Sequence, residues 1–374
     1  MSPLTWEALR TTAHYTLRRA SRYLVATLEK PHTVLSTSVK NGGQTTTINY
    51  LANHQSCEAS AHKERYEQIS ALGGQDAYHD AVCAELNLPA HQVALMGTAA
   101  NMNYAAIITA DDLDLEVTAI VTAGVQGNAC CAGDPAAWRE GESGWVKVDG
   151  TINTIVLINR PLTSAALARA VVTMTEGKST ALQQLAVRSL YSQNLATGTG
   201  TDQFIIAAPT EGQGRLTSAS PHVKLGELIG RTVRDATLEA LRWQNGLEPS
   251  YTRGIFSALI RFGLREETFY ADIAPFLGEA DLELLKKNSK SVFYEPLVSA
   301  AAFAIAAVLD RQRYGALPAS AAQEALRQQA ATLSASLSAK PHQWDFYRGQ
   351  LTEAEPVRLV LQAIALGWSS KWRL

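Results

Sequence analysis

The sequence predicts an α+β protein, in which a mixed-sheet α/β core domain precedes an all-helical C-terminal region. Three observations predict it. Runs of strand-forming composition at Thr33 to Val39, Gln44 to Leu51, His91 to Met96, Leu115 to Ala123, Thr151 to Asn159 and Gln203 to Ala208 are separated in several places by stretches of helical character. Apolar residues recur at helical spacing from Thr163, as Leu167, Val171, Met174, Leu182 and Leu185, and from Ser220, as Leu225, Ile229, Val233, Ala236 and Ala240. Past Gly246 glycine thins out, strand alternation disappears, and Ala/Leu-rich segments such as Ala300 to Leu309 and Ala321 to Leu337 dominate.

Taken in order, residues 1–30 form an amphipathic pattern in which Arg10, Arg18, Arg19 and Arg22 interrupt the apolar residues. This predicts an N-terminal helix and no secretion signal, because no uninterrupted apolar stretch is present. The α/β domain spans 31–245. Its first feature is a β-hairpin turning at Lys40-Asn41-Gly42-Gly43, since Asn-Gly accepts the positive φ of a tight turn. Its last helix ends at Asn245-Gly246. The helical domain spans 246–374, with Pro318 and Pro341 as breaks between helices. The apolar run Leu297 to Leu309 is bounded by Glu295 and Asp310 and falls short of the ~18–20 residues that cross a bilayer, so it reads as a buried helix.

A length of 374 residues suits two or three domains at roughly 100–200 residues each. The 33 basic and 35 acidic side chains leave a net charge of -2, and with 7% aromatic residues there is neither a basic footprint nor a stacking platform for nucleic acid. Four irregularly spaced cysteines, Cys57, Cys83, Cys130 and Cys131, cannot build a disulfide framework, which points to a reducing, cytoplasmic setting. The expected partner is a small molecule, without nucleic acid or membrane; a homo-oligomer stays open.

Chemistry is expected where glycines and small polar residues cluster at strand ends: Val121 to Asn128, Gly150 to Asn153, and Ala196 to Asp202. In the third, alternating Thr and Gly bring the backbone close to a ligand, with three hydroxyls and one carboxylate projecting from it. It lacks the Gly-Lys-Ser/Thr ending of a phosphate-binding loop; the alternative is a flexible turn. His222 follows Ser220-Pro221, a cap and first-turn proline, and the positive end of a helix dipole disfavours an imidazolium, which suits a general base. Gly226 and Gly230 share its face, leaving room for a flat ligand or, alternatively, for close packing. Lys178 falls on the apolar face of its helix, where it is either a desolvated base or snorkels to solvent, while Glu176 aligns with Thr173 and Thr180 on the polar face. His54, Glu58 and His62 recur at four-residue steps, as zinc ligands on one helix would, or as a solvated face.

Five co-linear segments, Asn41-Gly42-Gly43, Thr122 to Pro135, Gly150-Thr151-Ile152-Asn153, Thr175-Glu176-Gly177-Lys178 and Ala196 to Asp202, resemble the adenosylcobinamide amidohydrolase family. The resemblance covers about Pro31 to Asn245, and His222 through Ile229 is similar to the family's closing His-x-x-x-Gly-Glu-x-Ile segment. Gly177 departs from the Thr-Glu-Ala-Lys that members tend to show, and Cys130-Cys131 replace residues that are usually not cysteine. The resemblance implies hydrolysis of the amide between aminopropanol and the corrin propionate, giving adenosylcobyric acid in cobalamin salvage. It needs no cofactor, the corrinoid substrate bringing its own cobalt. The expected catalytic residues are His222, Glu176, Lys178, Asp202 and Thr199, with Asp202 orienting His222 or the leaving amine. The expected substrate contacts are Asn41, Gly42, Gly43, Asn53, Gly124, Asn128, Asn153, Thr197, Gly198, Gly200 and Gly226. The alternatives are a non-catalytic corrinoid-binding or assembly protein, and a zinc-dependent amidase.

Overall fold

The protein is described by a computed structural model over residues 4–58, 60–136 and 151–372. The chain divides into two compact units, Met1–Glu248 and Pro249–Leu374. Among the described residues no helix is long and apolar enough to cross a membrane.

The first unit opens with three antiparallel strands, β1 (Glu7–Thr11), β2 (Tyr15–Ala20) and β3 (Tyr23–Leu28), where an amphipathic helix was expected. The reason is a period of two that the arginines obscure. Tyr15 and Leu17 alternate into one core, as do Leu24, Ala26 and Leu28, while Arg10, Arg19 and Arg22 pair with Glu116, Glu7 and Glu58 across neighbouring segments. Strands β4 (His32–Ser36) and β5 (Gly43–Thr45) form the expected hairpin, with Asn41 at φ 62° in its turn. Its second arm is only three residues long, because the chain then crosses to pair β6 (Tyr50–Gln55) with β3.

Helices α1 (His62–Leu72) and α2 (Gln75–Glu85) carry the chain to β7 (Val93–Thr98), parallel to β6. Then come β8 (Ala106–Asp112), β9 (Leu115–Ala123), the short β10 (Ala129–Cys130), and β11 (Ile152–Ile158). Helix α3 (Ser164–Gln184), capped by the Thr163 side chain on the Ala166 N–H, leads through β12 (Gly198–Thr199) to β13 (Gln203–Pro209), which runs parallel to β11. Helix α4 (Lys224–Asn245) ends at Gly246 in the left-handed region.

Among the described residues two large sheets result, ordered β1-β2-β3-β6-β7 and β5-β4-β13-β11-β9-β8, beside a two-stranded one of β10 and β12. One apolar core, including Leu24, Leu51, Met96, Ile120, Ile155 and Ile205, draws on both sheets and lies between them. Alternate residues of the second sheet, such as Val121, Val156 and Ile206, face α3 and α4. On the outer face of the first sheet, Tyr23, Val25 and Leu95 pack on Tyr78, Val82 and Cys83 of α2. The unit is thus layered helix, sheet, sheet, helix, an arrangement that buries both faces of both sheets.

The second unit contains α5 (Ile255–Leu259), α6 (Phe269–Ile273), α7 (Glu279–Asn288), α8 (Lys290–Phe293), α9 (Pro296–Arg313), α10 (Ala319–Ser338), α11 (Trp344–Gln350) and α12 (Pro356–Lys371). It packs around Phe269, Tyr347 and Trp368, with Pro318 capping α10 and Pro341 following its end. The apolar run in α9 is amphipathic rather than wholly buried, since Leu297 is 62% exposed.

In the first unit α3 and α4 approach most closely at two glycines. A Cβ on Gly177 would come within 2.7 Å of the Gly230 carbonyl oxygen, a backbone atom that cannot rotate away. Gly177 therefore does not bend α3; it lets α4 dock. Gly177→Ala, although better for helix propensity, is expected to destabilise the unit by about 1–3 kcal/mol through overpacking, seen as a lowered melting temperature. An unchanged or raised melting temperature would show that the two helices can part freely.

Candidate active site

The polar residues of the first unit converge where β11 and β13 begin. Here β11 places Asn153 in the same register as Ile155 and Leu157, facing the neighbouring sheet, and β9 does the same with Thr122 beside Ile120. Burying bare amides in that layer would cost roughly 1–3 kcal/mol each. They are paired instead. Asn53 Nδ2 donates to Thr122 Oγ1 (2.8 Å), Asn153 Nδ2 donates to Asn53 Oδ1 (2.9 Å) and the Gly97 carbonyl (3.2 Å), and the Gly97 N–H donates to Gln203 Oε1 (3.2 Å). Asn153 is wholly buried, and among the described residues its Oδ1 has no hydrogen-bond partner.

On the helix side of the same sheet end sits Asp202. Its Oδ1 accepts from the Ile152 N–H (3.1 Å), the Thr199 N–H (3.1 Å) and the Thr199 hydroxyl (2.5 Å), while Oδ2 accepts from Thr199 N–H and forms a short ion pair with Lys178 Nζ. Gly198 is required there, because a Cβ would strike both the Asp202 carboxylate and the Lys178 ammonium. Gly200 leaves room in the same way for the Asn128 amide, and its N–H donates to the Asn128 carbonyl (3.2 Å). Thr197 Oγ1 accepts from the Ala132 N–H (2.8 Å), and the Gly124 N–H donates to the Thr151 carbonyl (3.0 Å). Strands β10 and β12 pair antiparallel beneath this cluster.

The structure therefore brings together Lys178, Asp202, Thr199, Thr197, Gly198, Gly200, Asn128, Gly124, Asn53 and Asn153. Gly150 lies outside the described residues. Four sets of expected residues lie apart from this cluster. His222 is exposed in a turn, and α4 starts at Lys224 with Val223 as its cap, so His222 is not in a first helical turn. Lys224 reaches toward Asp112 (3.8 Å) where β8 turns into β9, whereas Asp202 binds Ile152, opposite the other end of β9. Those nine residues span about 27 Å at a strand's rise, and Asp202 holds Lys178, not His222. Glu176 is exposed on α3, and Thr173, expected beside it on a polar face, is buried, its hydroxyl donating to the Ala219 carbonyl (2.7 Å). Gly226 offers no open face, because the backbone of Ala219 and Ser220 folds against it. Asn41 spends its amide hydrogens on the carbonyls of Ala90 (2.8 Å) and Val93 (3.0 Å), so the turn holding Gly42 and Gly43 ties the sheet edges together rather than joining the cluster.

The spacing of His54, Glu58 and His62 is not realised on one helix. His54 lies in β6, stacked on Tyr23, with Nδ1 2.5 Å from the Tyr78 hydroxyl, while Glu58 pairs with Arg22. Among the described residues no three His, Cys, Asp or Glu side chains converge as a metal site. Cys130 lies near the cluster, but burial, then the charges of Asp202 and Asp134, push its thiol up and keep it protonated. Thr122, Thr151 and Thr201 lay inside the expected segments without being singled out, and Gln203 was missed as a site residue. For Thr122 the signal was present, a polar residue in the apolar register of a strand.

A family model described as adenosylcobinamide amidohydrolase matches residues 8–249. An uncharacterized protein of Methanocaldococcus jannaschii is 33% identical over 183 residues, covering 46% of this chain and 71% of that protein. A crystal structure of a Pyrococcus horikoshii OT3 protein aligns with 64% of this chain and 83% of its own at 13% identity and a TM-score of 0.31, too loose a likeness to place the fold. The family match spans nearly all of the first unit, and the chain belongs to this family.

Burial, reinforced by Arg65 and Arg22, pushes His54 down to about 3. An unfolded imidazole protonates near ~6.5, so between those values only the unfolded chain takes up this proton. The stability contributed by neutral His54 is complete above about 6.5 and falls as pH drops through that window, by at most ~1.4 kcal/mol per pH unit. Urea midpoints between pH 6.5 and 4 should decline less steeply in His54→Gln than in the native chain. Equal slopes would show that His54 titrates normally when folded.

Proposed function

We propose that this member of the adenosylcobinamide amidohydrolase family hydrolyses the amide joining aminopropanol to the corrin propionate of adenosylcobinamide, releasing adenosylcobyric acid. The observation that carries this reading is the convergence of an ammonium, a carboxylate, several hydroxyls and strand-end amides at one end of the second sheet. Amide hydrolysis develops negative charge on the carbonyl oxygen, and a cation fixed beforehand in a partly dry site stabilises that charge without reorganising. The Lys178 side chain, 13% exposed and pinned by Asp202, suits that role. Asp202 serves as a positioning residue, because its oxygens are already engaged by Ile152, Thr199 and Lys178. A corrinoid is lined with amide donors and acceptors, which suits a polar strand-end cluster better than a small apolar slot.

Purified protein incubated with adenosylcobinamide is expected to release aminopropanol and adenosylcobyric acid, followed by mass spectrometry. Binding without release would favour a corrinoid-binding protein. Lys178→Met should lower kcat by roughly 10²–10³ with the melting temperature retained. His222→Ala should keep kcat within about twofold, since surface changes away from the site cost little. A large loss in His222→Ala would return that residue to the mechanism.

A further inference from the structure

We propose that the Thr151 hydroxyl is the nucleophile of this site, so that the amide is cleaved in two steps through an ester on Thr151. The proposal rests on the amidohydrolase reading above and adds the group that attacks.

Four other hydroxyls of the cluster have partners away from Thr151. Thr199 Oγ1 gives its proton to Asp202 (2.5 Å), Ser179 Oγ donates to the Thr197 carbonyl (2.9 Å), Thr197 Oγ1 accepts from Ala132, and Thr122 Oγ1 is buried against Asn53. The Thr151 hydroxyl is differently placed. It donates to the Thr201 carbonyl (2.9 Å) and lies against the Thr201 hydroxyl. A hydroxyl facing a second hydroxyl has a route for its proton that a hydroxyl bound only to a carbonyl lacks.

Thr151 immediately precedes β11 and continues the row of Asn153, Ile155 and Leu157, in which it is the outermost member. It keeps 7% exposure where Asn153 has none. The backbone is held on both sides, by Gly124 N–H on the Thr151 carbonyl and by Asp202 on the Ile152 N–H (3.1 Å), so the side chain sits on a rigid strand end. That same carboxylate holds Lys178 on the helix side of the sheet end.

In the first step Thr151 Oγ bonds to the propionyl carbon. Its proton passes through the Thr201 hydroxyl, which releases its own to the departing nitrogen, and the C–N bond breaks to free aminopropanol. In the second step water attacks the Thr151 ester, the carboxylic acid leaves, and a proton returns to Thr151 Oγ along the same pair of hydroxyls. The sum is one amide and one water converted to one acid and one amine.

The test uses the full chain and adenosylcobinamide, comparing the native protein with Thr151→Val, which removes the hydroxyl at nearly constant volume, and Thr151→Ser, which keeps it. Thr151→Val is expected to lose at least about 10³-fold in kcat while still binding the substrate and melting as the native chain does. Thr151→Ser should stay within about tenfold. Added hydroxylamine should divert the native reaction to the corrinoid hydroxamate, and acid-quenched native protein should show the acyl mass on the peptide bearing Thr151. If Thr151→Val keeps more than a tenth of native kcat, or turnover proceeds with no acyl adduct and no hydroxamate, water attacks directly and the proposal is wrong. Should Thr151→Val fail to fold, the adduct on the native chain and the Thr151→Ser rate decide by themselves. A native protein that binds adenosylcobinamide without turnover overturns the reaction itself, an outcome distinct from active native protein with a dispensable Thr151.

Discussion

The carboxylate of Asp202 is the interaction on which this end of the molecule depends. It gathers the first N–H of β11, the N–H and hydroxyl of Thr199 in β12, and the ammonium of Lys178 from α3, so β11 and α3 meet the Thr199 to Asp202 turn on two oxygens. Each bond to an ionised acceptor is worth about 1.5–3 kcal/mol, against about 1 for a neutral pair. The value is greater still because the carboxylate and ammonium are only 19% and 13% exposed: removing either partner would leave the other buried and uncompensated. Gly198 belongs to the same constraint, since the pair occupies the space its side chain would need.

Behind this pair the sheets are held together by a thread of amides, Asn53 to Thr122, Asn153 to Asn53 and Gly97, and Gly97 to Gln203. Above it the inter-sheet layer is closed by Ile120, Ile155 and Leu157, whose burial supplies roughly 1.5–3 kcal/mol each. An apolar filling would have been simpler at the mouth as well. The polar one fixes the register of β6 and β7 against β9 and β11, because a one-residue slip would turn Asn153 and Thr122 toward α3 and α4. The amide thread thus makes the mouth of the sandwich both wet in character and rigid.

The sequence revealed much of this scaffold and only part of the site. Helix α3 was legible from its Leu167, Val171, Met174 and Leu182 stripe, and β9 to its last residue, because their periodicities are long and local. Residues 1–30 misled because four arginines fell at intervals compatible with a helix, whereas their partners Glu116, Glu7 and Glu58 lie on other segments. The Thr197 to Asp202 loop was found by its composition, and its link to Lys178 follows from Lys178 lying on the apolar face of α3. His222 misled for a tertiary reason: its helix begins later than Ser220-Pro221 suggests, and its glycine face is filled by the chain's own turn. Thr151 was legible as part of the Gly150 to Asn153 segment but not as the residue to single out within it. Its neighbour across space, Thr201, lies fifty residues away, and only the parallel pairing of β11 with β13 brings them together.

The glycine pair between the helices links this packing to the chemistry. Lys178 is the residue after Gly177, so the height of α3 over α4 sets where the ammonium starts its reach toward Asp202. A methyl group at 177 would press on the Gly230 carbonyl, a contact relieved only by sliding or lifting α3. Interiors yield by rigid shifts of whole elements more readily than by local compression. A displacement of a few tenths of an ångström at residue 177 is therefore passed to Lys178 almost undiminished. Where helix packing and an ion pair share adjacent residues, the core residue tunes the charged one without touching it.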